Sequence, residues 1–124
     1  MSNETNFLGA IPVLPTSNLA RDVKWYKEQL GFHINFQNEG YGGVSRGGVY
    51  LHFQEHSGTE DDPMLDGSVL KIFVKDISLI YNDLLEKGTI TESQLHKNTP
   101  WKTHEVGLFD LNKNAIFFVE VIKD

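Results

Sequence analysis

Residues 16–32 read Thr16-Ser17-Asn18-Leu19-Ala20-Arg21-Asp22-Val23-Lys24-Trp25-Tyr26-Lys27-Glu28-Gln29-Leu30-Gly31-Phe32. Leu19, Val23, Tyr26 and Leu30 recur at steps of four, three and four, which lays them along one face of a helix. Thr16-Ser17-Asn18 supplies the N-cap, because a short side-chain oxygen there accepts an unpaired amide of the first turn. Gly31 stands where a left-handed residue ends a helix. Trp25 lies beside the apolar face and reads as packing. Upstream, the apolar run Phe7-Leu8-Gly9-Ala10-Ile11-Pro12-Val13-Leu14 reads as a strand. Pro12 has no amide to give a ladder, so this strand belongs at an edge, a bulge or an exchange point. Downstream come three short strands, His33 to Gln37, Tyr41 to Arg46 and Val49 to Gln54. Gly47-Gly48 between the last two signals a two-residue hairpin.

The same order then returns. Ser68 to Lys75 reads as a strand, and Asp76 caps a helix that turns Ile77, Ile80, Tyr81 and Leu84 inward before Gly88 closes it. A vaguer stretch, Thr89 to Thr99, precedes a strand from His104 to Phe109. The tight turn Asp110 to Asn114 feeds a last strand, Ala115 to Ile122. Leu19 and Ile77 thus open equivalent helices. The chain reads as α+β: two tandem βαβββ modules, each a curved mixed sheet with one helix, in one domain spanning residues 1–124. Module one covers about residues 6–55, a linker about 55–67 and module two about 68–123. Glu55, Glu60, Asp61, Asp62 and Asp66 make the linker acidic, which suits a solvated loop or a rim that attracts a cation.

With 124 residues the chain can close a real core, and 40% hydrophobic with 23% charged residues is an ordinary globular balance. There are no cysteines, which excludes disulfides, thiolate metal sites and cysteine nucleophiles. The net charge of −6 argues against binding a nucleic-acid backbone. Met1-Ser2-Asn3-Glu4-Thr5-Asn6 lacks the basic start and apolar run of a secretory signal. No apolar stretch approaches the ~20 residues that span a bilayer, so a cytoplasmic protein with no membrane partner is expected. No Gly-x-Ser-x-Gly elbow is present, since Gly43-Val44-Ser45-Arg46-Gly47 has its serine in a plain strand pattern.

The residues also carry a resemblance. Leu8-Gly9-Ala10-Ile11-Pro12-Val13-Leu14, then Trp25-Tyr26 and Leu30-Gly31-Phe32, resemble the start of bleomycin-resistance proteins. Tyr41-Gly42-Gly43-Val44 is similar to their aromatic-Ala-Gly-Val stretch. Val49-Tyr50-Leu51-His52-Phe53 and Pro100-Trp101 match their third strand and the Pro-Trp before their penultimate strand. The order and spacing together mark the vicinal-oxygen-chelate superfamily of glyoxalases, bleomycin-resistance proteins and extradiol dioxygenases. One departure is the last turn, usually Asp-Pro-Asp-Gly-Asn and here Asp110-Leu111-Asn112-Lys113-Asn114. Lys113 replaces the glycine, so a flanking asparagine is expected to take the left-handed position.

Enzymes of this superfamily hold a divalent metal with His, Glu or Gln on facing strands. By the resemblance those positions fall at Ile11 (give or take one residue), Val69 or Leu70, and Phe117, none of which has a lone pair to give. The remaining histidines (His33, His52, His56, His96 and His104) show no converging spacing. The resemblance therefore implies a member with no metal and no cofactor that binds its ligand without transforming it. The alternative is a lyase, isomerase or dioxygenase with a displaced metal site or none, for which His52 and Glu105 would need to face one cavity.

In the family, ligand grooves form at a twofold dimer interface, with the N-terminal strand exchanged near a proline. Pro12 implies the same exchanged homodimer. The ligand implied is a small, cationic and aromatic molecule of the bleomycin type, stacked on aromatic faces and drawn in by acidic groups. The stacking aromatics carry over to Tyr41 and Trp101. His52 and Glu105 offer polar contacts, and Phe36 suits the core first or a groove wall. Tyr41 is equally suited to plain strand packing.

Overall fold

The computed structural model describes residues 6–64 and 67–123. Residues 1–5 and Asp66, which entered the readings of the amino terminus and the linker, lie outside them. Helix α1 runs Leu19–Leu30 and is capped as its sequence requires: the Asn18 side chain accepts the Arg21 amide, and Gly31 takes φ 71° at the other end. Leu19, Val23, Tyr26 and Leu30 are all buried. The Tyr26 ring meets Phe32 and Phe53 edge-on, at centroid distances of 6.0 and 4.7 Å, the arrangement that aromatic quadrupoles favour. Trp25 packs half-buried against the same core.

Strands β1 (Val13–Thr16), β2 (His33–Gln37), β3 (Tyr41–Arg46) and β4 (Val49–Glu55) form one sheet in the order β1-β4-β3-β2. Strands β5 (Val69–Phe73), β6 (Leu95–His96), β7 (Thr103–Phe109) and β8 (Ala115–Val121) form a second in the order β5-β8-β7-β6, with helix α2 (Ile77–Glu86) against it. In each sheet the first strand is parallel to the last and the other pairs are antiparallel. Gly47 and Gly48, at φ 57° and 85°, make the β3–β4 turn, the double positive φ of a type I′ hairpin. The repeat extends to side chains. Glu55 at the end of β4 accepts the Leu19 amide at 3.1 Å, and Glu120 on β8 accepts the Ile77 amide at 2.8 Å. Each carboxylate satisfies a free N–H at the positive end of its module's helix. Glu55, although exposed, therefore also caps the first helix. Asp62 likewise accepts His56 Nδ1 and the Ser57 amide within its own loop.

Three expectations need correction. The first strand is not Phe7 to Leu14 but Val13–Thr16. Pro12 has no amide to continue the ladder; its carbonyl accepts the His52 amide at 3.0 Å, and there the pairing begins. Phe7 and Leu8 before it are 78% and 99% exposed. Pro15, inside β1, is tolerated because β1 is an edge strand. The left-handed residue of the last turn is Lys113 itself, at φ 63°, and neither neighbouring asparagine. Both asparagines are held: Asp110 accepts the amides of Asn112 and Asn114, and the Asn114 side chain accepts the Ser68 amide. The vague stretch of module two contains a short 3-10 turn, Glu92–Gln94, and only a two-residue strand, β6.

The two modules join through this last turn. Buried Asp110 accepts the Tyr26 hydroxyl at 2.6 Å and the Asn114 side-chain amide at 2.8 Å, beside the two backbone amides. Buried Asp22 on α1 accepts from Thr16, Arg21 and Asn112. Helix-side residues of both sheets share one core: Leu14, Val44, Leu51 and Phe53 from the first, Ile72, Val106, Ile116 and Phe118 from the second. Asp110→Ala strands several buried donors at once, so urea unfolding should show a loss of about 3 kcal/mol or more, at 1–3 kcal/mol per stranded group. Tyr26→Phe removes one bond and should cost about 1 kcal/mol. Equal losses in the two variants would mean that Asp110 is not the hub.

Candidate functional site

With the helix-side faces joined, the other face of each sheet points outward. On the first sheet it carries Phe36, Tyr41 and His52. Strict alternation would put Phe36 with Ile34 on the core side. A bulge between them changes this: Ile34 pairs with Val44, but Phe36 pairs with Gly43. Phe36 thus joins the outer face, where a bulge re-aims a side chain. A Cβ on Gly43 would lie 2.4 Å from the Phe36 ring, so the ring lies flat on the glycine. Phe36 and Tyr41 stack at 6.1 Å, and His52 meets both rings edge-on. The Tyr41 hydroxyl is 2.9 Å from His52 Nδ1. This bond orients the imidazole and leaves Nε2 available.

Trp101 and Glu105 stand on the outer side of the second sheet. The loop before β7 closes on itself, with the Lys102 amide donating to Thr99 O and the Thr99 amide to Thr103 O. Trp101 is 64% exposed, and yet its indole is fixed: Nε1–H donates to Glu105 Oε2 at 2.7 Å. Thr103 Oγ1 donates to the same oxygen at 2.6 Å. Glu105 itself is only 7% exposed. The Thr103 hydroxyl, then the indole N–H, hold its carboxyl below the usual range, with added attraction from Lys71 and His96. Around this pair lies a cavity of about 780 Å³ lined by Lys71, His96, Lys97, Trp101, Glu105 and Phe117, among others. Phe117 forms its floor, seated on Gly107, where a Cβ would come within 2.8 Å of the ring.

Five residues singled out in the sequence therefore form two groups. Phe36, Tyr41 and His52 are together, as are Trp101 and Glu105. The two groups are on different sheets, and His52 does not line the cavity of Glu105. One chain does not assemble a His52–Glu105 acid/base pair.

The resemblance assigns the superfamily's metal ligands to Ile11 (give or take one residue), Val69 or Leu70, and Phe117. In the structure Val13 pairs with His52, and Phe117 pairs with Lys71 rather than Val69 or Leu70, each across the parallel seam of its sheet. Of these four only the His52 imidazole offers a lone pair to a metal, and one such ligand does not make a site for a divalent cation. Among the described residues no three His, Asp or Glu side chains converge. Lys71 and Phe117 line the cavity and Thr103 holds its carboxylate, and sequence reasoning assigned none of the three to a ligand. Phe117 and the residues next to Lys71 drew notice only as metal positions.

No family model matches the chain. A bleomycin resistance protein of Geobacillus stearothermophilus is 23% identical over 94% of this chain and 98% of its own length. The crystal structure of a glyoxalase/bleomycin resistance protein/dioxygenase from Nocardioides covers 91% of this chain and 82% of its own, with TM-score 0.72 and 18% identity. A bleomycin-binding protein from Streptomyces verticillus, crystallised with copper(II)-bleomycin, covers 95% and 98%, with TM-score 0.71 and 22% identity. The chain therefore has the fold of the glyoxalase, bleomycin-resistance and dioxygenase superfamily. In sequence it is similar to bleomycin resistance proteins across nearly its full length.

The hydrogen bonds of Glu105 set a pH response. Its carboxylate stays charged as pH falls past the ordinary carboxylate range, and the anchoring of Trp101 is lost only as pH falls through the lowered value. Any stability Glu105 contributes is present above the unfolded pKa and disappears over the same interval. Thr103→Val removes the largest cause of the lowering, so the transition should move to higher pH. Trp101 emission, titrated with acid in a Trp25→Phe background, reads this directly. An unchanged midpoint would show that the Thr103 hydroxyl does not tune the carboxylate.

Proposed function

We propose that the protein sequesters a planar aromatic small molecule of the bleomycin type, without metal or cofactor and without transforming it. The observation that carries this is Trp101, an exposed indole held by a nearly buried carboxylate at the mouth of a large cavity. A flexible surface tryptophan would need no such anchor, whereas a stacking platform loses less entropy on binding when it is fixed beforehand. Isoleucine, valine or leucine, and phenylalanine at the positions that the resemblance assigns to metal ligands favour binding over metal-assisted catalysis. The bleomycin-binding character of the similar proteins supports the ligand class.

The functional unit in this reading is a homodimer. Phe36, Tyr41 and His52 of one subunit form one wall of each groove, and Trp101 and Glu105 of the other form the facing wall. Exposed Val13, Val69, Phe73, Phe109 and Val121 then become covered at the twofold interface. The segment Phe7 to Ile11, which has no ladder partner among the described residues, crosses to the other subunit. Glu105 receives the ligand's cation through Oε1, the oxygen not engaged by Thr103 and Trp101. No helix among the described residues is long and apolar enough to cross a membrane, and the reading places the protein in the cytoplasm.

Calorimetric titration with metal-free bleomycin in the presence of a chelator should saturate at one drug per subunit. Trp101→Ala should weaken binding by about 1–3 kcal/mol, the usual cost of losing a central aromatic anchor. Sedimentation should give a dimer. Absence of heat together with unchanged Trp101 emission would remove bleomycin as the ligand, and an unaltered affinity in Trp101→Ala would remove the platform.

A further inference from the structure

We infer that the module-two cavity selects an aromatic ligand bearing an anionic group, and that Lys71 is the ion partner of that group. The inference rests on the reading that this cavity holds an aromatic ligand, and adds a charge requirement to it. Glu105 is the one carboxylate lining the cavity, against the cationic side chains of Lys71 and Lys97, with His96 beside them. Glu105 also directs one oxygen at Thr103 and Trp101, which spends half of its accepting capacity inside the protein. Neither Lys71 nor Lys97 forms an ion pair or side-chain hydrogen bond with any described residue. The attraction of Lys71 for Glu105 therefore acts at longer range than a salt bridge.

Position separates Lys71 from an ordinary surface lysine. On β5 it is in register with Phe117 across the parallel seam, and Phe117 in turn is in register with Gly107 on β7. The row Lys71–Phe117–Gly107 therefore crosses the cavity floor, with the ammonium at one end of a flat ring seat. A planar ring laid over Phe117, edge toward Trp101, would bring a substituent on its β5 side to Lys71. Its other side would reach the free oxygen of Glu105. A carboxylate at the first position and a cation at the second are both matched, so aromatic acids and aromatic zwitterions are the class defined. The matching row of module one, Val13–His52–Gly43, has no cation at that end.

The test is calorimetry of the intact protein, at low salt and neutral pH, with three probes of one ring system: naphthoate, naphthalenemethanol and naphthylmethylammonium. Naphthoate should bind about tenfold more tightly than naphthalenemethanol, a modest effect for one charge-assisted contact. Lys71→Met should abolish that advantage and leave naphthalenemethanol unchanged. Circular dichroism confirms that the variant is folded, and Lys27→Met, on helix α1 and not among the cavity-lining residues, serves as the cationic control. Equal or weaker binding of naphthoate overturns the inference, as does an advantage that survives Lys71→Met. If metal-free bleomycin binds but none of the three probes does, the charge requirement falls and sequestration stands. If naphthoate binds through Lys71 and bleomycin gives no heat, the cavity's selectivity stands and the bleomycin reading falls.

Discussion

The carboxylate of Asp110 is buried at the seam between the modules, and a charge there is costly unless every lone pair is answered. It is answered by four donors: the Tyr26 hydroxyl, two amides of its own turn and the Asn114 side chain. Asn114 then binds the start of module two at Ser68, while Asn112 reaches across to Asp22 on α1. The group therefore ties β1, the first helix, the end of the linker and the last hairpin to a single geometry. Dispersion and apolar burial supply the cohesion of the shared core, but they are not directional. This polar lattice fixes which surfaces meet.

That choice has a consequence for binding. When the helix sides of both sheets are turned inward, the remaining faces point away from each other. The stacked Phe36–Tyr41 pair and the anchored Trp101 then belong to faces of different sheets. Each face has a ring seated on glycine, Phe36 on Gly43 and Phe117 on Gly107. In the dimer proposed above, a second copy of the chain would close each face and cover the apolar side chains left there.

Legibility in the sequence followed the range of the interactions. Both helices, their caps and the Gly47-Gly48 hairpin depend on neighbours a few residues apart, and were readable from period and cap chemistry. The first strand was misplaced because an apolar run reports burial tendency and not whether an amide is present to pair; Pro12 decided that. The sense of Phe36 depended on a bulge, which leaves no mark in an alternating pattern. Asp22 gave no signal and Asp110 read only as the start of a turn, because the bonds that make them a junction, Asn112 to Asp22 and Tyr26 to Asp110, span more than eighty residues. Of the site, Tyr41 and Trp101 were visible because they stand in short stretches, Tyr41-Gly42-Gly43-Val44 and Pro100-Trp101, that carry the family resemblance. Lys71 was not, because its meaning comes only from its register with Phe117.

The two modules also differ in an informative way. Where equivalent positions support the backbone they have kept one chemistry: Glu55 and Glu120 on the helix amides, Gly43 and Gly107 beneath the rings. Where equivalent positions face outward they have diverged, Val13 with His52 in one module and Lys71 with Phe117 in the other. A repeat under structural constraint alone would have no reason to place an ammonium against a ring in one copy and an apolar side chain against an imidazole in the other. Core positions differ too, Tyr26 against Leu84 and Gly42 against Val106, but there the difference is one of packing. On the face that no helix covers it changes charge and polarity, and that is where a fold shared by many functions acquires its own. The needs of the sheet do not call for this asymmetry, and the ligand inferred above, flat and charged at distinct ends, would account for it.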